Sequence, residues 1–276
     1  MSPQHDWLSV SRGDAPLVLS MPHTGVEIPP ELGKKLASAW LARRDTDWWV
    51  DKLYDFGGAL GATVIHTRMS RTVIDVNRDP SGASLYPGQA TTELCPTTTF
   101  DGEPLYVDGA APGPDEIAMR RAQFYSPYHA ALAAELARLR QSHAHVVIYD
   151  CHSIRSRIPR LFEGELPNFN IGTNSGRSCA PELAAAVEGV CKATPFSRVI
   201  NGRFKGGYIT RHYGQPEQGV HAIQMELACR GYMREEPGPI TPETWPTPYD
   251  EGHAAAMRAA LKNVLEACLA FARTRS

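Results

Sequence analysis

The chain has 276 residues, 42% of them hydrophobic and 21% charged, which fits an ordinary globular protein able to bury a core without disulfide staples. Its formal net charge of −2 and scattered basic residues give no field suited to nucleic acid. No stretch approaches the ~18 consecutive apolar residues of a membrane span. In chain order, "PLVLSMPH" (Pro16 to His23) reads as an apolar strand ending in a turn, and Pro29 and Pro30 open a helix. The stretch from Asp45 to Gly61 places Trp49, Val50, Leu53, Tyr54 and Phe56 at helical spacing. Asp45 or Asp47 is its expected cap, and Gly57 and Gly58 its end. "ATVIHTRM" (Ala62 to Met69) and "RTVIDVNR" (Arg71 to Arg78) are strand-like. An excursion rich in Gly, Pro and Thr then runs from Asp79 to Pro114. A long amphipathic helix follows from Asp115 to His143, bent near Pro127, and then a buried strand, His145 to His152. Ala180 to Ala193 is helical, Pro195 to Gly214 mixes strand and loop, Gly219 to Cys229 is a strand, and Asp250 to Arg275 is a terminal helix.

Strands alternating with helices predict a three-layer α/β/α sandwich around a mixed, mostly parallel sheet, formed as one domain over residues 1–276. The six cysteines form no C-x-x-C pair, and the first sixteen residues lack the basic and apolar regions of a secretory signal. A reduced, cytoplasmic protein with free thiols is expected.

In such sheets, ligands gather at the carboxyl ends of strands. His23, Asn77, Arg78, His152 and Glu226 all fall at or near predicted strand ends. A hydrolytic zinc site typically has three protein ligands and one position for water. The candidates are His23, His152 and a carboxylate from Glu27, Asp47 or Asp150. Asp150 lies two residues before His152 and shares its strand face, so it suits support of that histidine more than ligation of the same ion. Glu226, on an apolar strand, is either a member of a buried ion pair or a base. Asn77 with Arg78 offers an amide and a guanidinium fork for a carboxylate. Arg155 and Arg157, just past His152, are further anion-binding candidates, and Gly206 and Gly207 permit a tight turn or a close ligand approach.

The motifs "MPHTG", "DTDWW", "SRTVIDVNR", "LYPG", "TTTFDGEPLY", "YHAALAAEL", "DCHSIRSRIPRLFEGELPNFNIGT", "NGRFKGGYITRHYGQP" and "HAIQMELA" together resemble the N-formylglutamate amidohydrolase family. The resemblance runs from about Leu17 to about Met233. It implies metal-dependent hydrolysis of N-formyl-L-glutamate to formate and L-glutamate, at the end of a histidine-degradation route. It also implies a zinc-carboxypeptidase-like fold, with Zn2+ or another divalent metal as cofactor and a small dicarboxylate as substrate. Carried over by motif, His23 and His152 match the two histidine ligands, Asn77 and Arg78 the carboxylate-binding pair, and Glu226 the base. The carboxypeptidase pattern puts its acidic ligand three residues after the first histidine, which here is Val26. Asp47 is therefore expected as the acidic ligand, with Glu27 as the alternative. The second substrate carboxylate falls to Arg155, Arg157 or Arg211. Alternative readings are a zinc deacylase or carboxypeptidase acting on another N-acyl acidic amino acid, and a non-catalytic binder of an acidic metabolite. The sequence fixes no oligomeric state.

Overall fold

A computed structural model describes residues 6–274. The first five residues and Arg275, at the end of the expected terminal helix, lie outside them. Seven strands form one sheet: β1 (Leu8–Ser11), β2 (Leu17–Met21), β3 (Thr63–Thr67), β4 (Val146–Ile154), β5 (Phe169–Gly172), β6 (Arg198–Ile200) and β7 (Val220–Ala228). Their order is β1-β3-β2-β4-β7-β5-β6. The pairs β2–β3, β2–β4, β4–β7 and β5–β6 are parallel, while β1–β3 and β5–β7 are antiparallel. The helices are α1 (Pro30–Gly33), α2 (Leu41–Arg44), α3 (Val50–Leu53), α4 (Pro114–Arg120), α5 (Ser126–Arg140), α6 (Pro181–Lys192), α7 (Tyr208–Tyr213) and α8 (Glu251–Thr274). No described helix is long and apolar enough to cross a membrane.

The period of two along each strand sorts side chains between the two faces. Leu17, Leu19, Val147, Tyr149, Ile223 and Met225 pack with Leu183 and Val187 of α6 and with Leu261, Val264 and Leu265 of α8. Val18, Val146, Ile148 and Ala222 pack with Tyr128, Leu132 and Leu139 of α5 and with Ile209 of α7. The sheet is thus covered on both faces, which is why its central strands read as unbroken apolar runs. Each fully buried aliphatic side chain contributes about 1.5–3 kcal/mol. All six cysteines are free and buried.

Several elements differ from the sequence reading, which anticipated neither α2 nor β5. Strand β1, at the sheet edge, was not expected; it is only four residues long and half-buried. Arg71 to Arg78 forms turns and not a strand. The Asp75 carboxylate accepts the Asn77 N–H at 2.9 Å, and Asp75 N–H donates to Leu94 O at 2.7 Å. Local side-chain bonds of this kind displace ladder pairing. The expected Asp45–Gly61 helix is reduced to α3 and a 3-10 turn, Asp55–Leu60. Neither aspartate caps it, because Trp49 occupies the N-cap in the left-handed region (φ 63°) and no side chain bonds there. Finally, α7 lies within the stretch read as strand and loop. The bend expected near Pro127 is a π-helical turn, Arg121–Tyr125, joining α4 to α5 just before that proline. The excursion contains only isolated bridges between residues 79 and 113.

Candidate active site

The polar residues gather at the carboxyl ends of β2, β4 and β7. On β4 the apolar residues Val147, Tyr149 and Cys151 face α8, so the alternate positions Asp150 and His152 share the other face. The same alternation on β7 puts Gln224 and Glu226 beside them, and the register pairs Asp150 with Gln224 and His152 with Glu226. His23 lies two residues past the end of β2. Its turn closes against the chain after β3, where a Cβ on Gly25 would come within 2.3 Å of the Arg68 carbonyl carbon. Asp47 N–H donates to His23 O at 3.0 Å, which binds the DTDWW segment to this turn.

His23, Asp47 and His152 form a buried cluster whose three ligand atoms all lie within 4.8 Å of one another. Asp47 Oδ2 is 3.0 Å from His152 Nδ1 and 3.6 Å from His23 Nδ1. The far nitrogen of each ring faces an acid: His23 Nε2 is 2.7 Å from Asp75 Oδ1, and His152 Nε2 is 3.0 Å from Asp150 Oδ2. Carboxylates behind histidines in this way fix the ring and make the other nitrogen the ligating one. His23 Nδ1 is buried yet has no hydrogen-bond partner among the described residues. A donor set of two imidazoles and one carboxylate suits zinc, and the 3.0 and 3.6 Å separations bracket the roughly 3.3 Å edge of a tetrahedron with ~2.0–2.1 Å metal–ligand bonds. The residues therefore fit a divalent cation.

Burial would raise the Asp47 pKa, but the charge of His23 and the charge and hydrogen bond of His152 outweigh it and hold the carboxyl below its usual range. Asp75 is likewise held well below its usual range, against burial, by Arg78, His23 and Arg71. Burial opposes a charged His152, but Asp150 and Asp47 raise its pKa well above the ordinary value. Glu226 is different. Burial dominates and pushes its pKa up to about 7, with the His152 charge only partly offsetting this. Gln224 Nε2 donates to Glu226 Oε2 at 3.1 Å, its amide orientation fixed by the 2.7 Å bond from Gly207 N–H to Gln224 Oε1.

A cleft opens over this cluster and is lined by His23, His152 and Glu226 together with Arg71, Arg78, Arg203, Tyr86, Thr92, Phe100 and Phe204. Asn77 lines the cleft too, but its side chain is committed to the scaffold. Its Nδ2 donates to Asp150 Oδ2 at 3.0 Å and lies 2.9 Å from His152 Nε2, while its Oδ1 accepts Ile209 N–H at 2.8 Å. The paired glycines serve this contact: Gly206 takes φ +115°, and a Cβ on Gly207 would meet the Asn77 amide at 2.5 Å.

Other expected residues fall elsewhere. Glu27 is exposed and pairs with Arg68 at 2.8 Å, outside the histidine cluster. Arg155 is buried against Asp101 (2.5 Å) and Asp45 (3.3 Å). Arg157 is 67% exposed and pairs with Glu165. Arg211 donates to Gly206 O at 2.8 Å and stacks on Tyr86, 4.8 Å from its ring centre. Arg155, Arg157, Arg211 and Glu27, expected as substrate-binding or ligand candidates, thus do not line the cleft. Of the expected arginines only Arg78 lines the cleft. Arg71 and Arg203 line it too, and sequence reasoning passed over both as cleft residues; their sole signal was position within "SRTVIDVNR" and "NGRFKGGYITRHYGQP".

The model of the N-formylglutamate amidohydrolase family matches residues 15–233. The chain belongs to the N-formylglutamate amidohydrolase family. It is 48% identical over 269 residues to the N-formylglutamate deformylase of Pseudomonas aeruginosa, covering 97% of this chain and 98% of that protein. It is 46% identical over 269 residues to the deformylase of Pseudomonas putida, covering 97% of each. The solved structure of an N-formylglutamate amidohydrolase from Ralstonia eutropha JMP134 shares the fold, with a TM-score of 0.79 at 22% identity over 98% of this chain and 99% of that one.

Proposed function

We propose that this amidohydrolase cleaves N-formyl-L-glutamate with water to give formate and L-glutamate, as the last step of a histidine-degradation route in the cytoplasm. The reading is supported by family membership together with one geometric observation: Glu226 stands opposite His152 in register, at a cleft lined by three arginines. The substrate is a small dianion, which those guanidiniums suit. The whole chain acts as one catalytic unit, with the excursion forming part of the cleft wall.

His23, Asp47 and His152 would hold a divalent cation, zinc by the nature of the donors, which would polarise the formyl carbonyl and make water more acidic. Glu226 takes the proton of the attacking water and hands it to the departing nitrogen. One C–O bond forms and one C–N bond breaks, giving formic acid and a neutral amine; the acid then loses its proton and the amine gains one, which leaves formate and L-glutamate. Asp75 and Asp150 keep both imidazoles turned toward Asp47. Arg78, steadied by bonds to Thr92 O (3.1 Å) and Thr92 Oγ1 (3.0 Å), receives one carboxylate of the substrate.

The test is formate release from N-formylglutamate before and after dialysis against a chelator, and again after zinc is returned. Loss and recovery of turnover are expected. No release by the untreated protein would refute the reading.

A further inference from the structure

We propose that Arg203 is the receptor for the distal, side-chain carboxylate of the substrate and so selects glutamate over neutral amino acids; this rests on the deformylase reading. Arg203 follows β6 in the loop that leads to α7, and it lines the cleft on the same surface as Arg78 and Glu226. The other two cleft arginines have acids close by. Arg71 is 2.7 Å from Asp75, and Arg78 is 3.7 Å from it. Among the described residues Arg203 has no carboxylate partner; its Nε and Nη2 donate to the backbone oxygens of Leu161 and Ala90, each at 2.8 Å. Its guanidinium also lies 5.4 and 5.3 Å from the ring centres of Tyr86 and Phe204.

A half-buried guanidinium held in place by two carbonyls and two rings, but lacking a counter-ion, is preorganised for an anion. Substrate geometry decides which one. The α-carboxylate is attached to the carbon bearing the scissile nitrogen, so it stays near the reacting centre. Arg78 is tied to that centre through Asp75, which holds His23. The side-chain carboxylate lies two methylenes further away, and Arg203 is the remaining cleft cation without an acid. Its bond to Ala90 also ties the 79–114 excursion to the receptor.

The experiment compares wild type, Arg203→Met and Arg203→Lys on N-formylglutamate and N-formylglutamine, after circular dichroism and melting curves have shown each to be folded. Wild type should prefer the glutamate compound. Arg203→Met should lose kcat/KM on it by on the order of 10²–10³-fold, yet change less than about threefold on the glutamine compound. Arg203→Lys keeps the charge and should keep the preference in part. Equal losses on both substrates, or no loss on either, would overturn the assignment. Wild type inactive on both compounds would instead overturn the deformylase reading, a result visible before any variant is measured.

Discussion

His152 and Glu226 face one another across the parallel β4–β7 ladder, each the last polar residue of an alternating pair that begins with Asp150 and Gln224. A largely buried ladder thereby sets a candidate ligand beside a candidate base. The distance between these functions depends on register and not on loop conformation, since a slip of one residue would send both side chains to the α8 face.

Replacing Glu226 by Gln should lower kcat on N-formylglutamate by on the order of 10²–10⁴-fold with little change in KM. Stopped-assay kinetics on the zinc-loaded variant check this. A near-normal kcat would mean that another group moves the proton.

The pH behaviour of Glu226 has a definite sign. Its carboxyl is raised from 4.5 to about 7 by burial, so between those values the folded chain keeps a proton that the unfolded chain releases. Stability from this group is complete below about pH 4.5 and declines as pH rises toward 7. Metal-free Glu226→Gln should therefore melt higher than metal-free wild type at pH 8, with the gap closing at pH 4.5. The rate of the loaded enzyme should show an acidic limb at or below pH 7, since a bound cation favours the carboxylate.

Asp75→Asn removes the acid behind His23 and the partner of Arg71. Metal affinity should fall 10–100-fold, as measured by competition with a coloured chelator. Unchanged affinity would show that Asp75 serves Arg71 and Arg78 alone.

Asn77 is held in the scaffold by three polar contacts, so Asn77→Ala should act chiefly on stability. A loss of about 1–3 kcal/mol is expected in urea unfolding, from the unpaired Ile209 N–H and the loosened Asp150. An unchanged midpoint with a large rise in KM would return Asn77 to the role of substrate ligand.

Arg157→Ala should leave KM and stability almost unchanged, within about 0.5 kcal/mol, because its pair with Glu165 is exposed. Arg155→Met should lower stability by about 1.5–3 kcal/mol by taking the guanidinium away from the Asp45 carboxylate, whereas Asp101 keeps its pair with Arg44 at 2.8 Å. Asp45 is mostly buried, with a side chain 12% exposed, and desolvation already raises its pKa.

Much of this arrangement could be read in the sequence where a pattern has one physical cause. The apolar runs of β2, β4 and β7 can only be strands covered on both faces, and a histidine or acid that interrupts such a run must sit in a built polar site. His23, His152 and Glu226 stood out for that reason. The arginines did not resolve, because a guanidinium after a strand tip looks alike in sequence whether it meets a ligand or an aspartate. Arg155 meets Asp101 and Asp45, residues more than fifty positions away. The "RTVIDVNR" stretch has β-branched residues at strand frequency, yet the Asp75 side chain bends it into turns, a choice made by contacts with Leu94, His23 and Arg71 that local propensity does not contain.

The central claim is that His23, Asp47 and His152 jointly hold one divalent cation where N-formylglutamate is cleaved. Anomalous diffraction at the zinc edge from crystals of active enzyme tests it most directly. A single strong peak is expected between His23 Nδ1, His152 Nδ1 and the Asp47 carboxylate, lost in Asp47→Asn together with formate release. Fully active crystals with no peak there, or with the metal bound elsewhere, would contradict it.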